Sequence, residues 1–217
     1  MGEIAAEIAH ELRNALQVIA ANTYLARQDP GASAAILAKI DRHARLAQTI
    51  VDDLLCLARG DAHHGELTAV ETIVLSARGE MKEGAALWRD AVEPAKLTVR
   101  VHPGLMTRLL HALYDNAVQA SAPRRPTIAT RAWRDETGTH IEVRDDGPGV
   151  PAELGARVFD PLVTSRPGGT GLGLALARRI ATAHKGDLVL VSPDAGGSPG
   201  AVFRVTLPVA PFEGAPR

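Results

Sequence analysis

Two adjacent residues near the start of the chain, His10 and Glu11, combine a potential nucleophile with a potential base. An imidazole with a pKa of about 6.5 is largely neutral at physiological pH, so one ring nitrogen can attack an electrophile. The neighbouring carboxylate can orient the ring or accept its proton. A His-Glu pair alone is more often part of a charged helix face, because so short a motif recurs by chance. The interpretation therefore depends on the surrounding residues.

The segment around His10 has the periodicity of an amphipathic helix. Apolar residues recur every three to four positions, at Ile4, Ile8, Leu12, Ala15 and Ile19. Polar residues recur at the same interval on another face, at Glu7, His10, Asn14 and Gln17. Because residues three and four apart share a helix face, His10 and Asn14 are predicted to lie together and to face solvent or a partner.

A second segment with chemical potential is Asp145-Asp146-Gly147-Pro148-Gly149, which follows a strand-like stretch at 141–144. A carboxylate at position 145 can accept a hydrogen bond from an exocyclic amine. The glycines allow a flat base to approach the backbone closely. This arrangement favours adenine over guanine, because adenine carries its exocyclic amine where guanine has a carbonyl.

A third glycine-rich segment, residues 168–173, precedes a helical run that begins at Leu174. Backbone N–H groups and a helix N-terminus at such a place suit phosphate oxygens. Upstream, Asn116 stands on an otherwise apolar helix face, and its amide oxygen suits Mg²⁺. A buried asparagine is more often a capping or core hydrogen-bonding group, and a single glycine segment is weak evidence.

The elements around His10 predict a helical hairpin. A breaker at 29–31 separates the first helix from a second apolar pattern that ends before Gly60, formed by Leu37, Ile40, Ala44, Ala47, Val51, Leu54 and Ala58. Two helices cannot bury both apolar stripes on one another alone. Residues 1–60 are therefore predicted to form a homodimer through a four-helix bundle.

The rest of the chain predicts an α+β architecture in which helices cover one face of a mixed sheet, an α/β sandwich. A short hinge is expected at 61–65, the sandwich domain at 66–210 and a tail at 211–217. Strands are predicted at 66–69, 97–101, 126–133, 140–144, 187–192 and 201–207. Helices are predicted at 72–92, 105–120 and 170–184.

Composition narrows the function classes. With a net charge of −1 and dispersed arginines, the chain has no positive electrostatic field that would attract nucleic acid. Its content of 46% apolar residues is typical of a soluble protein. The only cysteine, Cys56, cannot form a disulfide within the chain and favours a cytoplasmic location. No apolar run approaches the roughly 18 residues of a membrane span, so no membrane contact is expected.

The segment His-Glu-Leu-Arg-Asn-Ala-Leu at 10–16 resembles the phosphoacceptor box of sensor histidine kinases. The segments around Asn116, Asp145 and residues 168–173, in that order, resemble the ATP-binding domain that histidine kinases share with gyrase-type topoisomerases, a heat-shock chaperone and mismatch-repair ATPases. The resemblance covers roughly residues 3 to 208. It implies that the chain uses ATP and Mg²⁺ to phosphorylate a histidine, and then transfers the phosphoryl group to an aspartate of a response-regulator receiver domain.

The resemblance also assigns roles to individual residues. It makes His10 the phosphoacceptor and Glu11 its base, and it makes Asn14 the residue that aligns water to dephosphorylate the regulator. It implies that Asp145 binds adenine and that Asn116 holds Mg²⁺. The mobile ATP lid begins at 159–162 in this comparison. The lid, its hinges and the phosphate cradle include Gly147, Gly149, Thr164, Arg166, Gly169, Thr170, Gly171, Leu172 and Gly173.

One departure from the family pattern affects the chemistry. Hydrolytic members place a glutamate four residues before the asparagine, and histidine kinases commonly place a second asparagine there, but this chain has Ala112. Without the carboxylate, water lacks its general base, which favours transfer to His10 over hydrolysis. The missing amide can weaken Mg²⁺ or phosphate binding, and Asp115 or His111 could compensate.

Two alternative functions stay open at this point. One is a dimeric histidine phosphotransferase whose second domain no longer binds ATP and serves as a docking surface. The other is an adenine-nucleotide-regulated binding protein that controls a partner without phosphorylating it. Few residues precede His10, so the first helix looks truncated, and the chain is expected to be a fragment of a longer kinase or to receive its signal from a separate protein.

Overall fold

The computed structural model describes residues 2–28, 34, 36–41, 43–44, 47, 51, 65–161, 163–164, 171–191 and 200–209. The chain forms two compact units, Met1–Arg59 and Gly60–Arg217. Among the described residues, no helix combines the length and the apolarity that crossing a lipid bilayer requires.

The first unit begins with a long helix, α1, at Gly2–Gln28. Ala15 is buried, whereas the neighbouring Asn14 and Leu16 are exposed, as the apolar periodicity predicts. The described residues between 34 and 51 are also helical. The part of the second apolar pattern beyond residue 51 lies outside the described residues.

The second unit contains two sheets. Strand β1 at Glu66–Ala69 pairs antiparallel with β3 at Thr98–Val101. The larger sheet has five strands: β2 at Leu87–Val92, β4 at Thr127–Arg134, β5 at Thr139–Asp145, β6 at Asp187–Val191 and β7 at Val202–Leu207. Their order is β2-β4-β5-β7-β6, and only β2–β4 is parallel.

Three helices accompany these sheets. They are α2 at Val70–Gly79, α3 at Pro103–Ser121 and α4 at Gly173–Ala183, and a short 3-10 helix spans Gly155–Phe159. Alternate strand residues are buried against them, including Ile128, Ala132, Ile141, Val143, Phe203 and Val205. The intervening positions carry polar groups such as Arg131, Glu142 and Arg204. The sandwich of helices on one face of a mixed sheet is confirmed.

The helix predicted over 72–92 is wrong. Helix α2 ends at Gly79, Gly84 adopts a left-handed backbone with φ of 74°, and the chain then enters strand β2 at Leu87. Trp88 packs edge-on against Tyr114 of α3, with ring centroids 4.9 Å apart. The apolar spacing of this segment fitted a helix, but pairing with β4 and contact with Tyr114 place it in the sheet.

A pair of histidines joins one end of α3 to one end of α4. His102 caps α3, where its Nδ1 accepts from the Leu105 backbone N–H at 3.3 Å. The backbone N–H of His102 donates to Nε2 of His184, 3.0 Å away, at the C-terminus of α4. His184 Nδ1 donates to the Ile180 carbonyl at 2.8 Å, so the ring is neutral. Burial lowers the pKa of His184 and favours this neutral form.

Candidate functional site

Asp145 is the last residue of β5 and is 5% exposed. Its Oδ1 accepts hydrogen bonds from the backbone N–H groups of Gly147 at 2.8 Å and Ala201 at 3.2 Å. No described residue donates a hydrogen bond to Oδ2, so this oxygen is available to a ligand. Burial raises the pKa of the Asp145 carboxyl above its usual value, whereas the two N–H groups act in the opposite direction.

The turn after Asp145 is closely packed around two glycines. A Cβ on Gly147 would lie 2.8 Å from Asp145 Oδ1 and 2.9 Å from Ser121 Oγ, so these side chains would have to move to admit any other residue. Gly149 has a φ of 80°, in the left-handed region that L side chains rarely adopt. That these glycines let a flat base approach the backbone stays a prediction.

Gly200 and Ala201 pack against the other side of this turn. Sequence reasoning did not identify them as site residues. A Cβ on Gly200 would lie 1.8 Å from the backbone oxygen of Asp145, and Gly200 has a φ of 118°. Ala201 accepts a hydrogen bond from the Asp145 backbone N–H at 3.0 Å, in addition to donating to its carboxylate. The sequence placed these residues only at the start of the last strand, because the pairing of β5 with β7 is not visible locally.

An arginine outside the predicted motifs holds this loop in place. Arg124 donates from its NH2 group to the Asp146 carbonyl at 2.6 Å and to Asp146 Oδ1 at 2.9 Å. The same carboxylate oxygen accepts from the Thr127 backbone N–H at 2.9 Å. These contacts lower the pKa of Asp146 to about 2, so Asp146 is ionised over the physiological range. Arg124 thus positions the backbone that carries Asp145.

Three of the predicted phosphate-binding residues, Gly171, Leu172 and Gly173, lie at the start of α4. Gly171 has a φ of 65°, Leu172 is buried, and Gly173 begins the helix. A Cβ on Gly173 would lie 3.9 Å from the Cβ of Ala112, so the position that departs from the family pattern lies beside this N-terminus. The N-cap residue Leu172 makes no side-chain hydrogen bond to the first turn of α4. The backbone N–H groups at a helix N-terminus of this kind suit an anion.

Asn116 lies one helical turn after Ala112 on α3 and is half-buried. Asp115, one of the two residues that could compensate for Ala112, accepts a hydrogen bond from Gln119 at 2.5 Å. Among the described residues, no three His, Cys, Asp or Glu side chains gather as a metal cluster.

The structure places the remaining predicted residues as follows. His10 and Glu11 lie within α1, and Asn14 is exposed one turn after His10. Thr164 is exposed. Arg166, Gly169 and Thr170 lie outside the described residues, as do the side chains of His10 and Glu11.

The described residues thus form a helical unit followed by an α/β sandwich, with the buried Asp145 carboxylate at the end of β5. Residues 1–63 match the family model of the His Kinase A (phospho-acceptor) domain. Residues 101–211 match that of the histidine kinase-, DNA gyrase B- and HSP90-like ATPases. The chain therefore belongs to the sensor histidine kinases and carries their catalytic core, as its motifs predict.

Curated relatives and solved structures agree with this membership. Sensor histidine kinase ZraS of Escherichia coli (strain K12) is 30% identical over 218 residues, which cover 96% of this chain and 46% of ZraS. Sensory histidine kinase/phosphatase NtrB of Rhodobacter capsulatus is 38% identical over 128 residues, 58% of this chain and 31% of NtrB. The chain thus spans less than half the length of these relatives.

Histidine kinase ThkA, solved in complex with the response regulator protein TrrA, has a similar fold. The TM-score is 0.73 with 22% identity, and the match covers 98% of this chain and 63% of that structure. Acinetobacter baumannii histidine kinase AdeS matches with a TM-score of 0.70 and 19% identity, over 92% of this chain and 97% of that structure.

Replacing Asp145 with Asn should weaken ATP binding by about 1.5–3 kcal/mol, the range for losing a charged hydrogen-bond partner. The two N–H donors at Oδ1 hold the amide oxygen at that place, so the amide NH2 would face the adenine amine, donor against donor. Titration calorimetry with ATP measures the effect. Asp135→Asn, which removes a carboxylate from the β4–β5 turn, is the matched control, and unchanged affinity of Asp145→Asn would mean that the adenine site is misplaced.

Proposed function

We propose that this chain transfers the γ-phosphoryl group of ATP to His10 and then passes it to an aspartate of a response-regulator receiver domain. The observation that carries the proposal is the Asp145 carboxylate, held by two backbone N–H groups through one oxygen while the other is left for a base. Membership of the sensor histidine kinases and the helical setting of His10 support the same conclusion.

In this proposal the residues of the second unit bind and orient ATP. Asp145 accepts from the adenine amine, and the start of α4 receives the phosphate oxygens through backbone N–H groups. The lid would contact the nucleotide through Thr164, Arg166, Gly169 and Thr170. Asn116 would hold Mg²⁺ together with the phosphates, and Mg²⁺ neutralises charge on the transferring group.

The reaction is an in-line displacement. A neutral ring nitrogen of His10 attacks the γ-phosphorus, so a P–N bond forms as the bond to the ADP oxygen breaks, and ADP leaves with the bonding electrons. Glu11 takes the ring proton as general base. Because the chemistry requires mainly position and charge, bringing His10 in line accounts for much of the rate.

Ala112 favours transfer over hydrolysis. Its methyl group lies beside Gly173, at the predicted phosphate end of the site, and cannot accept a proton from water. Glu11 would act as the base for His10, so transfer to His10 does not need a proton acceptor at position 112. We infer that ATP turnover without a phosphorylated histidine is slow.

Incubation of the pure chain with γ-labelled ATP tests the proposal. Label that is stable in alkali and labile in acid is expected, as for a phosphohistidine. ATP binding without label would instead support a nucleotide-regulated binding protein. Absence of ATP binding would support a phosphotransferase whose second domain only docks partners.

We also propose that the first unit forms a homodimer. Four of its large apolar side chains are more than half exposed in the single chain: Leu16 at 52%, Tyr24 at 64%, Leu25 at 53% and Leu37 at 58%. A second hairpin would cover part of this surface in a four-helix bundle.

Sedimentation of the full chain should show a dimer whose dissociation constant rises at least about tenfold on Leu16→Glu, because a buried charge opposes association. Leu67→Glu, at a position 61% exposed in the second unit, is the matched control and should leave the dimer intact. A chain that stays monomeric at high concentration would contradict this proposal.

Asn14 is proposed to support dephosphorylation of the regulator. It is exposed on α1 one turn after His10, where a docked phosphoaspartate would lie. Its amide can donate to and accept from a water molecule and so align it for attack. NtrB, one of the relatives, is named a kinase/phosphatase. Because phosphorylation of His10 would consume ATP, we propose that the chain acts in the cytoplasm.

A further inference from the structure

The five-stranded sheet has one face under the helices, where Ile128, Ile141 and Phe203 are buried. Successive strand residues point to opposite faces, and residues directly opposite on paired strands share a face. The other face, which we call the outer face, is crossed by a row of directly paired residues: Ala91, Arg131, Glu142, Arg204 and Val189. Arg131 and Val189 are exposed, so the described residues leave this part of the outer face uncovered.

Arginines lie on the outer face of four adjacent strands: Arg89 of β2, Arg131 of β4, Arg144 of β5 and Arg204 of β7. These arginines are dispersed in the sequence, and strand pairing brings them together. Arg204 is already paired, since its Nε and NH2 groups donate to Glu142 Oε2 at 3.0 Å and 2.8 Å.

The other three arginines lack a counterion. Among the described residues, Arg89, Arg131 and Arg144 have no ion-pair partner, and all three are exposed. Because Arg131 lies directly opposite Glu142, Arg144 is its diagonal neighbour, with backbones about 7–8 Å apart. Like charges at this spacing repel one another, and an anionic partner would relieve that repulsion.

Trp133 restrains the guanidinium group of Arg131. The centroid of its ring lies 5.1 Å from the Cζ of Arg131 and 5.4 Å from the Cζ of Arg204. His140 stacks with the same ring, with centroids 5.0 Å apart. A guanidinium held on an aromatic ring loses less conformational entropy when it binds a carboxylate. The ring is half-buried among these neighbours, which disfavours stacking of a nucleic-acid base.

We propose that the outer face docks an acidic protein segment, whose carboxylates pair with Arg89, Arg131 and Arg144. The guanidinium fork matches a carboxylate through two parallel hydrogen bonds. The two edge strands add exposed apolar side chains, Leu87 at 51% and Val189 at 39%, which a protein segment would cover. This docking goes beyond the phosphoryl transfer proposed above and does not depend on it.

Fluorescence anisotropy with the full chain and a labelled peptide of repeated Glu-Glu-Leu tests the docking without nucleotide. The peptide should bind, and its affinity should fall as salt rises, because salt screens exposed ion pairs. A peptide of repeated Gln-Gln-Leu keeps the leucines and lacks the charge. It should bind at least about tenfold more weakly, since each exposed ion pair contributes up to a few fold.

The triple variant Arg89→Gln, Arg131→Gln and Arg144→Gln should lower the affinity for the acidic peptide at least about tenfold. The matched control, Lys82→Gln, Lys96→Gln and Lys185→Gln, removes the same charge from exposed positions outside the strands and should change the affinity less than about twofold. Urea unfolding checks that both variants fold. If the arginine triple variant does not fold, each single variant should lower the affinity about two- to fivefold.

Three results would overturn the proposal. The first is no binding of the Glu-Glu-Leu peptide by the wild type, and the second is an equal loss of affinity in the arginine and lysine variants. The third is tighter binding of oligothymidine, or of vesicles that contain phosphatidylserine, at the same arginines. That result would make the outer face a surface for nucleic acid or membrane.

Discussion

Gly200→Ala is expected to destabilise the protein by about 2–3 kcal/mol and to weaken ATP binding at least about tenfold. A Cβ at this position would lie 1.8 Å from the backbone oxygen of Asp145, in a left-handed conformation that L residues rarely adopt. The contact is with backbone rather than with a flexible side chain, so the strand end must move. That movement separates Ala201 from the Asp145 carboxylate.

Urea unfolding and ATP calorimetry measure the two effects. Gly79→Ala is the matched control, because a Cβ on Gly79 meets no atom within 4 Å and the helical residue gains propensity. If Gly200→Ala had the same urea midpoint of unfolding as the wild type and bound ATP normally, the close approach of the Gly200 and Asp145 backbones would be contradicted.

His10→Gln is expected to abolish labelling from γ-labelled ATP, because the amide has no basic ring nitrogen to attack phosphorus. Nucleotide binding should be unchanged, since Asp145 and the glycines proposed to bind ATP belong to the second unit. His43→Gln is the matched control in the same unit. It removes an imidazole whose Nδ1 bonds to the Lys39 carbonyl at 2.9 Å, and it should leave labelling intact.

Asn14→Ala should give the complementary result. Labelling of His10 and forward transfer should persist, while dephosphorylation of the cognate regulator slows about ten- to a hundredfold, the scale of losing one positioning contact. A purified regulator carrying labelled phosphoaspartate provides the assay. Loss of labelling in Asn14→Ala, with dephosphorylation intact, would contradict the division of roles on this helix face.

The residues that sequence reasoning identified at the site are those whose role depends on local spacing. Asp145 and Gly147 are close in the chain, and their hydrogen bond forms within one turn. Asn14 lies one turn from His10 because helical periodicity fixes that relation. Such features follow from a few consecutive residues.

The residues that were missed depend on long-range contacts. Gly200 and Ala201 reach Asp145 only because β7 pairs with β5. The wrong helix at 72–92 has the same cause, since β2 is defined by parallel pairing with β4. Neither strand order nor register is encoded in a short window.

The helix pair α3 and α4 has a consequence for the size of ligand that the site accepts. The His102–His184 hydrogen bond joins the start of α3 to the end of α4, and Ala112 meets the start of α4, so the two helices run antiparallel. Ser121, at the end of α3 beside Gly147, lies nine residues beyond Ala112, which corresponds to about 14 Å of helical rise. Under the proposed function, this rigid helix fixes the distance between the residues for the purine and those for the phosphates before ATP arrives, so that little conformational entropy is lost on binding.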